Sequence, residues 1–193
     1  MAKQIVIIDG HPDPDPARFC HAIAAAYAEA AADAGHHVRR IEVAQLDFPI
    51  LRTRIDWEKG EPVAAVRECQ DAIAVTQHVV LIYPLWLGDV PALLKAFLEQ
   101  AFRPGFAIQQ GARTISPGLL KGKSARIIVT MGMPAIIYRL FFFAHSLSSL
   151  RRNILRFVGF SPIRTSLIGN VEGSADARRK WLEKIRTYAS AGE

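Results

Sequence analysis

Residues 4–43 read QIVIIDGHPDPDPARFCHAIAAAYAEAAADAGHHVRRIEV. Gln4 to Asp9 is a continuous β-branched run, the pattern of a strand covered on both faces of a parallel sheet. Gly10 to Pro16 is a turn. Phe19, Ile23, Tyr27, Ala30 and Ala34 then recur at helical spacing until Gly35 stops the helix, and Val38 to Val43 returns as a strand. This is a strand-helix-strand unit, and it predicts a parallel α/β sheet.

The same alternation continues along the chain. After a polar stretch from Gln45 to Gly60, Val63, Val66, Ile73 and Ala74 mark a second helix, followed by the apolar strand His78 to Tyr83. A helix from about Val90 to Phe102 leads into a Gly/Pro-rich loop, Arg103 to Gly122, and Ala125 to Met131 is a further buried strand. Met133 to Phe160 holds an apolar, aromatic-rich helical segment, Arg164 to Ile168 a last strand, and Ala175 to Ala189 an amphipathic closing helix. Strict alternation of five strands with about five helices predicts a doubly wound five-stranded parallel sheet with helices on both faces. Residues 1–193 are expected to form one such domain, since that length suits one compact core.

Ligands in these sheets sit beyond the carboxyl ends of the strands, near the switch in strand order. The loops after the first, third and fourth strands are therefore the ones to read. The first, Gly10 to Cys20, has no G-x-G-x-x-G, so the dinucleotide fingerprint is absent. The helix that follows offers free N–H groups and its positive end at Ala17 to Phe19, to which Arg18 and His11 add charge suited to a phosphate. The competing reading is a proline-stiffened turn with a solvated Arg.

In the second loop, Trp86 follows the strand directly, between Pro84 and Gly88, where a planar ring can be stacked or covered. Pro91 suits the first turn of the next helix. In isolation such a Trp also serves as a plug for the sheet end. The third loop brings Thr130, Met131 and Gly132, then Tyr138 and His145, whose hydroxyl, phenol and imidazole groups suit hydrogen bonding to a ring edge or a reduced product. A Tyr and a His in an apolar helical run are equally at home in a core or an interface.

Two further patterns carry no chemistry. Gly122-Lys123-Ser124 echoes a phosphate-binding loop, but Pro117 stands where its first Gly is needed and a strand follows. His36-His37 sits in a turn before a strand with no acidic or Cys partner nearby, so no metal is expected. Cys20 and Cys69 lack metal-ligand spacing, and the chain enters a strand without a signal sequence, which points to the cytoplasm. The apolar run Ala135 to Leu147 is interrupted by Arg139 and His145 and falls short of the ~20 residues a membrane span needs. The net charge of +6 is spread through the chain without an aromatic-interleaved basic run, so it reads first as a solvated surface, with a pull on phosphorylated cofactors as the leading functional reading and no nucleic acid expected as a partner.

Pro84-x-Trp86-x-Gly88-x-x-Pro91-Ala92-x-Leu94-Lys95, then Glu99 and Pro104-Gly105-Phe106-Ala107, resembles the signature of the NAD(P)H:quinone oxidoreductase family. Its members include quinone reductases, the modulator of drug activity B type and ancillary subunits of potassium efflux systems. The likeness extends to His11, and to Thr130-x-Gly132 with Tyr138. It implies a flavodoxin-like fold, a noncovalent flavin (FMN favoured, FAD possible), NAD(P)H as electron donor, a quinone-like acceptor, ping-pong transfer of two electrons and a homodimer.

Carried over by position, His11, Arg18, Phe19 and Cys20 would surround the flavin phosphate, although relatives often have Ser and Asn where Arg18 and Cys20 stand here. Pro84, Leu85, Trp86, Leu87 and Gly88 would line one side of the ring and Thr130, Met131 and Gly132 the other, where relatives carry two glycines against Gly132-Met133 here. Trp86, Phe106 and Tyr138 would meet the substrate. Tyr138 would be catalytic, and so would His145, which lies one residue off the family spacing. The resemblance also leaves room for a regulatory flavoprotein that binds a membrane transporter. The positive charge argues against a flavodoxin-like electron carrier, which uses an acidic surface.

Overall fold

The computed structural model describes residues 1–110 and 118–193. Pro117 and the rest of 111–117, within the expected loop from Arg103 to Gly122, lie outside the described residues. The strands are β1 (Gln4–Asp9), β2 (His37–Glu42), β3 (His78–Pro84), β4 (Ser124–Thr130) and β5 (Ile163–Ile168). All neighbours pair in parallel, in the order β2-β1-β3-β4-β5. That is the flavodoxin-like order, with its switch point between β1 and β3.

Alternation of side chains assigns each strand residue to a face. Val6, Ile8, Val79, Leu81, Tyr83, Ile127 and Val129 belong to one buried cluster, whereas Ile5, Ile7, Val80, Ile82 and Ile128 belong to the other. The second face is covered by α1 (Phe19–Asp33) and α8 (Ala175–Ser190), which contribute Ile23, Tyr27 and Ile185. The first is covered by α3 (Ala64–Val75) and α4 (Ala92–Ala101), through Ile73, Leu94 and Phe97. A short helix α2 (Arg54–Lys59), capped by Thr53, lies within the polar stretch from Gln45 to Gly60. It buries none of its residues, so hydrophobic spacing could not reveal it.

The expected helical segment from Met133 to Phe160 is broken. It comprises α5 (Ala135–Leu140), α6 (His145–Ser149), a π-helical turn (Leu150–Leu155) and α7 (Arg156–Val158). The break falls at Phe143 and Ala144, both left-handed, with φ of 52° and 46°. Tyr138 explains its position: the phenol is buried, and its oxygen accepts the Leu147 N–H at 3.2 Å, so the chain folds back over it. Among the described residues no helix is long and apolar enough to cross a membrane.

Candidate functional site

A cavity of about 750 Å³ opens at the carboxyl ends of β1, β3 and β4, within the range of cofactor sites. His11, Arg18, Phe19, Cys20, Pro84, Leu85, Trp86, Thr130, Met131 and Gly132 all line it. Ten residues from three loops, expected separately from the sequence, thus meet in one place.

The wall built by β1–α1 is charged and internally bonded. Asp9, buried at the end of β1, accepts the His11 N–H at 3.3 Å and pairs with His21 Nδ1 at 2.6 Å. His21 Nε2 reaches the Asp13 carbonyl at 2.9 Å, and His11 Nδ1 accepts the Asp13 N–H at 3.1 Å. Burial opposes a charge on His21, but the Asp9 hydrogen bond, the Asp13 carbonyl and the nearby Asp9 and Glu42 charges outweigh it and hold its pKa above the ordinary value. His11 moves the other way, chiefly through burial. Arg18 does not reach freely into the cavity, because Asp13 at 2.7 Å and Asp15 at 3.3 Å already hold its guanidinium.

Anion binding at this wall therefore falls to backbone. At the first turn of α1 the amides of Phe19 and Cys20 have no acceptor among the described residues, and the helix dipole adds its positive end there. Cys20 itself is buried, and burial pushes its thiol up to about 12. It stays protonated, 3.3 Å from Thr130 Oγ1, and ties α1 to the end of β4.

The facing wall is apolar. Leu85 N–H bonds Thr130 O at 2.8 Å, which joins the ends of β3 and β4. Trp86 to Asp89 closes a tight turn with reciprocal bonds, Trp86 N–H to Asp89 O at 3.0 Å and Asp89 N–H to Trp86 O at 2.9 Å. Both central residues are left-handed, Leu87 at φ 47° and Gly88 at φ 78°, which suits Gly and strains Leu. Half-exposed Trp86 meets His11 edge-on at 5.9 Å, a second contact between the two walls beside that of Cys20 with Thr130. At Gly132 an added Cβ would find only Glu172 Oε1, at 3.9 Å.

The remaining expected residues lie elsewhere. Leu87 is fully exposed and lines an adjoining cavity with Trp86, Val90, Leu150 and Ser146. Gly88 shapes that turn without lining either cavity. Tyr138 does not line the large cavity; its oxygen lies 2.7 Å from Ser146 Oγ, which opens onto the adjoining one. His145 is exposed and packs against Phe143 at 5.7 Å, away from both cavities. Phe106 packs against the core and likewise lines neither.

Sequence reasoning missed Ser146 and a fourth loop. Val171, Glu172 and Arg178, from the connection between β5 and α8, complete the large cavity. Val171 N–H bonds Met131 O at 3.2 Å, Asn170 N–H bonds Met133 O at 3.2 Å, and Arg178 holds the Val171 and Gly173 carbonyls. The strand-end rule extends to this loop, and Gly169 is its mark: a Cβ there would come within 2.3 Å of Ala135 N. Asp9 and His21 gave no spacing signal, being joined only across a strand end and a helix.

Residues 3–190 match a family described as flavodoxin-like fold. The chain is 30% identical over 146 residues to a ribosyldihydronicotinamide dehydrogenase (quinone) of Pongo abelii, covering 71% of this chain and 63% of that protein. It spans about three fifths of the length of the curated relatives it matches. Among solved structures, an NAD(P)H:quinone oxidoreductase from Methanothermobacter marburgensis superposes with a TM-score of 0.79 at 22% identity, over 98% of this chain and 96% of that one. An FMN-dependent NADH-azoreductase from Bacillus anthracis in complex with FMN gives 0.77 at 18% identity, over 99% of each chain.

Proposed function

We propose that this chain, which belongs to the flavodoxin-like fold family and is similar within it to NAD(P)H:quinone oxidoreductases, is a flavin-dependent NAD(P)H dehydrogenase acting on quinone-like acceptors. The observation that carries this reading is the joining of ten expected residues around one cavity of about 750 Å³. The donor set fits a flavin phosphate, since two free helix amides face it and the nearby cation is already paired. Pro84, Leu85 and Trp86 fit an aromatic ring, and FMN is favoured, as in the Bacillus anthracis relative.

A bound flavin would supply two-electron hydride chemistry, with donor and acceptor using the site in turn. The chain's own part is positional. Phe19 and Cys20 amides hold the phosphate, Thr130, Met131 and Gly132 border the ring edge, and Trp86 offers an aromatic face against which nicotinamide and quinone pack alternately. Tyr138 acts through Ser146: the 2.7 Å contact between their oxygens lets the phenol orient the Ser146 hydroxyl toward the cavity beside Trp86. His145 has no such path in a single subunit. The exposed Leu87 and the apolar cavity beneath it support a second copy of the chain closing the site. We place this homodimer, one domain per chain, in the cytoplasm.

The absorption spectrum of purified protein, with mass analysis of the released cofactor, tests the reading. FMN and oxidised-flavin absorbance are expected, and a chain that binds neither FMN nor FAD would sink it. With flavin bound, stopped-flow measurement of Tyr138→Phe and Ser146→Ala should slow the quinone half-reaction and leave reduction by NAD(P)H nearly unchanged. Wild-type rates in both halves would remove Tyr138 from the mechanism.

A further inference from the structure

Between Glu99 and Glu172 the chain carries ten Lys and Arg residues and no Asp or Glu. That stretch alone exceeds the +6 of the whole chain. Along the sequence these cations are dispersed, but the fold gathers some of them at one edge of the sheet.

A cleft of about 760 Å³, apart from the cavity of the proposed flavin site, is lined by Arg139 from α5, Arg151 from the π-helical turn and Lys184 from α8, and by no carboxylate. None of the three cations has an ion-pair or hydrogen-bond partner among the described residues. Lys184 Nζ lies 4.9 Å over the Trp181 ring, so the cleft has an aromatic wall beneath its charge. Its floor is made by Thr165, Ser166 and Leu167, three consecutive residues of β5. Successive side chains of a strand point to opposite faces, so a cleft that meets all three runs along the strand's edge. β5 pairs with β4 on one side alone.

The other sheet edge is different. At β2 the cleft contains Glu42 and Glu68 beside Arg39 and Arg40, and Arg40 pairs with Glu42 at 3.0 Å. That cleft holds carboxylates of its own, whereas the β5 cleft holds none, the nearest β5 pair, Arg164 with Glu193 at 3.0 Å, lying outside it. A second copy of the chain laid edge to edge on β5 would set Arg139, Arg151 and Lys184 against their own images.

From the open edge, the unpaired cations and the aromatic wall, we infer that β5 is a docking groove for an extended acidic segment of a partner protein. The segment adds as a further strand. Its carboxylates, on the face toward α5 and the π-helical turn, meet Arg139 and Arg151, and its alternate apolar side chains, on the face toward α8, lie on Trp181 beside Lys184. Backbone pairing supplies geometry and the cations select the charge.

The test uses a fluorescein-labelled hexapeptide, Glu-Val-Glu-Thr-Glu-Val, titrated against the full chain with its cofactor by fluorescence anisotropy. Binding is expected, weaker with added salt, and at least about ten-fold weaker in the triple variant Arg139→Glu, Arg151→Glu, Lys184→Glu. These side chains are exposed, and the variant's flavin content and thermal midpoint, measured alongside, report that it folds. Hydrogen exchange should slow at the Thr165–Leu167 amides when the peptide is bound. No binding up to about 1 mM, or binding that leaves those amides unprotected, overturns the inference. So does a chain that ignores the peptide but sediments with phosphatidylglycerol vesicles through the same three cations, which would make the edge a lipid-headgroup surface.

Discussion

The two walls of the main cavity are built on opposite principles. The β1–α1 wall holds three carboxylates, two imidazoles and a guanidinium, almost all engaged with one another. The β3 and β4 wall holds Pro84, Leu85, Trp86, Met131 and Gly132, with hardly a charge among them. A wall whose polar groups satisfy each other is stiff and offers little but backbone to a ligand. An apolar wall offers area. Binding energy should therefore come from the apolar wall, and shape and stability from the charged one.

The sharpest way to break this contrast is at His21. Its loss leaves the buried Asp9 carboxylate with one hydrogen bond, and His21→Ala should cost about 3 kcal/mol of folding stability, read by urea denaturation. Because the folded pKa of His21 is raised, the pair contributes fully below the ordinary His value of about 6.5 and loses its contribution as pH rises through the raised one. The gap between wild type and His21→Gln should narrow from pH 6 to pH 9. A constant gap would mean that His21 packs without charge.

Next in size is Trp86→Ala, expected to weaken FMN binding about thirty-fold, or ~2 kcal/mol of aromatic area, by fluorescence titration, with little change in stability. The smallest effect is expected at Arg18. Since Asp13 and Asp15 already hold it, Arg18→Ala should change FMN affinity by less than about three-fold. A large loss there would show that the guanidinium leaves its carboxylates for the phosphate, and the contrast between walls would fall.

Much of the architecture was legible because it rests on period. Gln4–Asp9 and His78–Pro84 are apolar at every second residue on both faces, and α1 repeats at helical spacing. Strand-end loops are where such sheets bind ligands, so three loops could be picked out by position, and the family resemblance then named ten site residues within them before their distances were known. Arg18 was legible as a cation but not as a paired one, because its partners are turn residues that any exposed loop can carry. Tyr138 was legible through family resemblance, while its connection through Ser146 depends on a break that a continuous apolar run from Met133 to Phe160 conceals. The dispersed basic residues hid the bare cationic edge of β5 for the same reason: sequence distance says little about which helix faces share a cleft.

Hydrophobic spacing and chain punctuation by themselves determined the parallel α/β fold, its element order and the loops that could bear a site, since those are local consequences of which residues a strand or helix can bury. Only the tertiary structure decided which charges are already spent on one another, that Trp86 lines two cavities, and that the cleft at one sheet edge holds its own carboxylates while the cleft at the other holds none. Those are properties of distances between elements, set by how the two buried faces pack and by no periodicity within a single segment.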